Sequence, residues 1–140
     1  MRTRTSTWFE CKIRYDKMME DGMQKKITEL YVVDALSFTE AESSIIDEMS
    51  AYISGEFEVR DIKKAPYGEI FFSEDASADR FFKAKLQFIT IDEKTEKEKR
   101  SNVNYLVHAN TFNQAVANID KVMGTTAIDY VIASVAETQI

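Results

Sequence analysis

The chain is poor in the residues from which most small sites are built. It has one cysteine (Cys11), one histidine (His108), one proline (Pro66) and four glycines in 140 residues. A lone cysteine excludes an internal disulfide framework and any zinc site built of cysteines. A lone histidine excludes paired-histidine metal motifs and triads needing a second imidazole. Four scattered glycines form no phosphate-cradling loop, and neither G-x-G-x-x-G nor G-x-S-x-G occurs. No cofactor motif is present. Long apolar runs are also missing, so nothing reaches the ~18 residues of a membrane span. The basic start, Arg2 and Arg4 among threonines, is not followed by the apolar core of a secretory signal. The expectation is a soluble cytoplasmic protein. Cations are in deficit too, with 18 Lys and Arg against 24 Asp and Glu, a net charge of -6. That balance argues against a generic cationic nucleic-acid coat.

What remains is the composition of a globular chain, 44% hydrophobic and 30% charged, with sixteen aromatic residues. Its length suits one domain. Self-comparison is informative. Trp8-Phe9-Glu10-Cys11-Lys12-Ile13-Arg14-Tyr15 lies over Phe81-Phe82-Lys83-Ala84-Lys85-Leu86-Gln87-Phe88, and both alternate as half-buried strands do. Val33, Ala35, Phe38, Ala41, Ile45 and Met49 then meet identical residues at Val107, Ala109, Phe112, Ala115, Ile119 and Met123. Ser37-Phe38-Thr39-Glu40 and Thr111-Phe112-Asn113-Gln114 both have the capping-box form that opens a helix. Gly55 and Gly124 are placed to end those helices. A third match sets Phe57, Val59 and Ile62 against Tyr130, Ile132 and Val135.

These matches predict a tandem duplication of a strand-strand-helix-strand unit within a single domain of residues 1–140. The first copy spans about 7–64, with elements at 7–16, 27–36, 38–53 and 56–64. The second spans about 80–136, with elements at 80–91, 101–110, 112–123 and 127–136. Between them, Pro66 breaks the chain, residues 67–72 read as an extra strand, and residues 73–79 form a polar linker. The class is α+β, one antiparallel sheet with two helices on one face. Residues 16–26 and 92–100 read as long hairpin arms.

Function is sought on the outward face of the matched strands. Lys12, Arg14, Lys83 and Lys85 alternate there, with Trp8 and Phe81 at the strand starts. Cations for phosphates and rings for stacking bases are how sheets hold single-stranded DNA or RNA. The solvated half of an amphipathic strand has the same composition, so exposure of Trp8 and Phe81 decides between the two. The other candidate surface is Met18, Met19 and Met23 in the first arm, since exposed methionine suits an adaptable interface. His108 falls at the repeat position of Asp34 and reads as a hydrogen-bonded structural residue. Cys11 falls on the core face, where nothing activates a thiol. The carboxylates Glu69, Glu74, Asp75 and Asp79 match no metal-binding spacing. Eight acids and no Lys or Arg lie between Ile27 and Val59, so the acidity is concentrated there and the rest of the chain is mildly basic.

Three stretches carry a resemblance: residues 4–15, Thr28 to Glu42, and the closing Ala133-Ser134-Val135-Ala136-Glu137-Thr138. Together they resemble an uncharacterised domain-of-unknown-function family of Bacteroidetes and the phages that infect them. The family has no agreed activity, so the resemblance implies no catalytic or binding residue. It implies a phage or mobile-element context in a bacterial cytoplasm. Members continue past the Glu-Thr motif, which implies a missing C-terminal tail. The element order from about 56 to 124 is similar to that of Whirly- and Pur-type single-strand binders. The expectation is a non-enzymatic module that binds single-stranded nucleic acid, the alternative a homo-oligomeric interaction or assembly module.

Overall fold

The computed structural model describes residues 2–140 and is of the α+β class, with eight strands in two sheets and two helices. The strands are β1 (Arg2–Thr5), β2 (Trp8–Met18), β3 (Gln24–Asp34), β4 (Phe57–Lys64), β5 (Glu69–Phe72), β6 (Arg80–Ile91), β7 (Glu98–Ala109) and β8 (Asp129–Glu137). The helices are α1 (Phe38–Tyr52) and α2 (Phe112–Met123). In place of one antiparallel sheet there are two, a three-stranded sheet ordered β3-β2-β4 and a five-stranded sheet ordered β1-β5-β7-β6-β8. The chain accordingly divides into two compact units. The N-terminal unit holds residues 6–65, and the C-terminal unit holds residues 66–138 together with β1.

Each unit has its own apolar cluster, set by the period-2 face of its central strand and the helix stripe above it. In the N-terminal unit Phe9, Cys11 and Ile13 of β2 meet Ala41, Ile45 and Met49 of α1. In the C-terminal unit Phe82, Ala84 and Leu86 of β6 meet Ala115, Ile119 and Met123 of α2. The bulges coincide as well. β4 slips against β2 between Lys12 and Ile13, and β8 slips against β6 between Lys85 and Leu86, the matched positions. Phe38 packs edge-on against Phe9, and Phe112 edge-on against Phe82.

Both helix starts are capped through a side-chain oxygen. Ser37 Oγ accepts from Glu40 N–H and Thr111 Oγ1 from Gln114 N–H, each at 3.1 Å. The Glu40 and Gln114 side chains reach one residue further back than the capping box predicts, accepting from the Leu36 and Asn110 backbones. Of the two glycines expected to end the helices, only Gly124 does so. α1 ends at Ile53 in extended backbone, two residues before Gly55. Gly124 caps α2 in right-handed backbone, where an added Cβ would sit 2.9 Å from the Asp120 carbonyl oxygen, so its missing side chain is what the site requires.

The two hairpin arms are shorter than predicted, because the strands run on. β2 and β3 pair out to Met18 and Gln24, and β6 and β7 out to Ile91 and Glu98. Beyond Tyr15 and Ile89 the residues of these ribbons are exposed on both faces, and the alternation that marks a strand disappears. β1 went unseen for a related reason, since its exposed Arg-Thr-Arg-Thr carries no apolar residue. It pairs antiparallel with β5, which in turn pairs parallel with β7 at Ile70–Leu106 and Phe71–Val107.

Candidate functional site

The outward face of β2, turned away from α1, carries Trp8, Glu10, Lys12 and Arg14. Trp8 is only 5% exposed, so the expected stacking ring is a buried residue and offers no platform for a base. The physical reason lies in its position: indole at the root of the strand removes apolar area from water, worth roughly 1.5–3 kcal/mol for a large side chain. Glu10 beside it is 2% exposed and lies 3.9 Å from Lys63 Nζ. Lys12 is exposed and stands between Leu30 and Asp61, while Arg14 is half-buried between Thr28 and Glu58. Lys12 and Arg14 therefore each have an acid on the adjoining strand.

The matching face of the C-terminal unit is built otherwise. Phe81 is half-buried, its ring centroid 4.9 Å from that of His108. His108 Nδ1 accepts from the Ser73 backbone N–H at 3.2 Å, and Nε2 lies 2.9 Å from the Ala78 carbonyl. Those partners select the neutral ring with its proton on Nε2. The imidazole thus pins the linker to β7, and both ring nitrogens are engaged there. The linker acids serve the same purpose. Asp75 accepts from Ser77 and from Gln114 of α2, and Glu74 pairs with Lys121 at 3.3 Å.

Further along that face apolar residues give way to polar ones. Lys83 is half-buried between Leu106 and Ala136, and Lys85 is exposed between Asn104 and Ser134. Gln87 comes next, opposite Asn102. Its amide nitrogen donates to Asn102 Oδ1 at 3.3 Å, and its amide oxygen accepts from Arg100 Nη1 at 3.2 Å. Arg100 is also held by Glu98 at 3.2 Å. The result is a surface of three cations and three amides, in which Asn104 and Ser134 stand opposite Lys85. Gln87 was expected on this face, whereas Asn102, Asn104 and Arg100 were not assigned to it. Their signal was the polar alternation with Val103, Tyr105 and Val107, masked by the charged tip that precedes it.

On the α1 side the N-terminal unit departs from its counterpart. Tyr31 donates its hydroxyl to Glu29 Oε1 at 2.9 Å. Burial, then the bond to Glu29, raises the Tyr31 pKa and holds that of Tyr15 at about 12. A 720 Å³ cleft opens beside Tyr15, between Met18 on the hairpin and the end of α1, from Tyr52 to Glu56. Met18, Met19 and Met23 stand at the hairpin tip, 61%, 38% and 69% exposed. Gly22 turns that tip with φ +81, which side-chain-bearing residues rarely adopt. Cys11 is fully buried. Burial first, then Glu48 and Asp61, lifts its thiol to about 11, far from a reactive nucleophile. Among the described residues no helix is long and apolar enough to cross a membrane.

A family model described as Domain of unknown function (DUF4494) matches residues 7–140. The chain belongs to this family. The match takes in every element of the N-terminal unit and every element of the C-terminal unit except β1. No curated protein and no solved structure is similar to the chain.

Proposed function

We propose that the protein is a non-enzymatic binding module whose C-terminal sheet face holds single-stranded nucleic acid, in the phage or mobile-element setting that the sequence resemblance implies. One observation carries the reading: Lys85 is exposed opposite Asn104 and Ser134, on the same sheet face as Lys83 and the hydrogen-bonded group of Gln87, Asn102 and Arg100. Cations serve phosphates, and side-chain amides offer donors and acceptors to unstacked base edges. Lys12 and Arg14, flanked by Asp61 and Glu58, contribute less, and Trp8 none. Stacking is confined to Phe81, so affinity rests on charge and falls steeply with salt. Fluorescence anisotropy with a labelled oligo-dT at about 50 mM salt tests this. Saturable binding that weakens as salt rises supports it, and no binding, or binding indifferent to salt, overturns it.

A second reading is favoured by the three exposed methionines at the β2–β3 tip. There the protein is an assembly module that associates with copies of itself. We also read the two units as a tandem duplication, supported by their matched bulges, caps and buried helix stripes.

A further inference from the structure

The two sheets have four lateral edges, β3 and β4 in one, β1 and β8 in the other. An edge strand presents a row of unpaired backbone donors and acceptors, and proteins blunt such edges by shortness, bulges or charge. β1 is four residues long. β4 and β8 are each broken by a bulge in mid-strand. β3 has neither defence. It is eleven residues long, contains no proline, and keeps one unbroken register with β2 from Gln24 to Asp34. Its cations, Lys25 and Lys26, stand only at the hairpin end.

We propose that β3 pairs antiparallel with β3 of a second copy about a two-fold axis at Leu30, joining two three-stranded sheets into one of six strands. The proposal rests on the assembly reading above and names its surface. Two-fold symmetry makes the strand its own partner, so the sequence must be complementary to its own reverse. Centred on Leu30, it is. Leu30 meets Leu30, Thr28 meets Val32, and Ile27 meets Val33. Glu29 meets Tyr31, the residue whose hydroxyl it already accepts within its own strand. Lys26 meets Asp34, and symmetry makes that pair twice.

Other centres fail. Centring on Glu29 sets two carboxylates face to face, which destabilises a ladder. Centring on Tyr31 puts Glu29 opposite Val33 and leaves Lys26 beyond the paired segment. A shift by half a step opposes core-facing residues to outward-facing ones, throwing α1 of the two copies onto opposite faces. Carried past the strand ends, the Leu30 register brings Met23 level with Ser37, between Leu36 and Phe38, which are 91% and 56% exposed. Met23 of the tip and these exposed apolar residues are then covered together.

Light scattering after size exclusion, on the full chain at about 100 μM, decides the first point. A dimer is expected, and a monomer overturns both this proposal and the assembly reading. Lys26→Asp places like charges opposite each other twice and is expected to weaken the dimer about tenfold, while Lys26→Asp with Asp34→Lys restores it. Leu30→Cys, at the self-paired position, is expected to give a disulfide-linked dimer on mild oxidation, and Thr28→Cys is not. Buried Cys11 does not compete in this assay. A wild-type dimer that ignores Lys26→Asp and gives no Leu30→Cys crosslink overturns the edge pairing while leaving the assembly reading standing. So does a dimer dissociated only by replacing Met18, Met19 and Met23 with serine.

Discussion

Two units with the same order of strand, strand, helix and strand, the same bulge and the same buried helix stripe differ wherever a side chain leaves the core. On the outward face, Lys12 and Arg14 sit beside Asp61 and Glu58, whereas Lys83 and Lys85 sit beside Asn104, Ser134, Leu106 and Ala136. On the helix face, Glu29 of one unit, which accepts from Tyr31, stands where Val103 of the other packs against an apolar cluster. Packing density restrains inward positions strongly, because a lost methylene costs stability, and restrains solvent-facing ones hardly at all. The shared frame is therefore uninformative about function, and the differences between units are where it is to be sought.

The largest test of the frame is in the cores. Ile45→Ala and Ile119→Ala each remove a fully buried side chain and are each expected to cost about 2–5 kcal/mol in urea denaturation. Equal costs mean the two stripes pack alike, and a clear inequality breaks the equivalence.

The thiol comes next, since Cys11 stands where the C-terminal unit has Ala84. Its folded pKa of about 11 lies above the ordinary 9.0, so the folded state holds a proton that the unfolded chain releases. The stability it contributes is complete below pH 9 and is lost as pH rises through about 11. Cys11→Ala is expected to remove that part of the alkaline decline in a pH series of melts. Tyr15 and Tyr130, each at about 12, extend the remainder to higher pH.

A third comparison sets the two outward faces against each other. Replacing Lys83 and Lys85 by alanine is expected to weaken oligo-dT binding about tenfold and to lower the salt slope by roughly 1.4. The Lys12 and Arg14 double alanine variant is expected to change both far less. Equal losses from the two pairs remove the distinction between the faces.

The smallest expected effect is at the caps. Ser37→Ala and Thr111→Ala should each cost about 1 kcal/mol in thermal or chemical melts, because each removes an acceptor from an orphan N–H. A negligible cost at one of them shows that Glu40 or Gln114 secures that helix start alone.

Much of this frame was legible in the residues. The alternation of Phe9, Cys11, Ile13 and of Phe82, Ala84, Leu86 located β2 and β6, and the Ser37 and Thr111 caps placed both helix starts on the observed residue. Where solvent lies on both sides, the signal vanished: β1 and the ends of both long hairpins have no buried face to imprint a period. The candidate site was half visible. The alternation placed Lys83 and Lys85 on the outward face of β6 but left the exposure of Trp8 open, because alternation says which side of a strand a residue takes and not whether that side is covered. Asn102, Asn104 and Arg100 meet Gln87 and Lys85 only through strand pairing across the hairpin.

The scarcity of Cys, His and Gly by itself determined which chemistries this protein lacks the parts for, and hydrophobic spacing determined which residues form each core. Those are local properties, set by composition and by the periods of helix and strand. Only the tertiary structure decided that there are two sheets rather than one, that indole is buried at Trp8, and which cations face acids and which face amides. These depend on pairing between strands distant in sequence, and no local period encodes a partner.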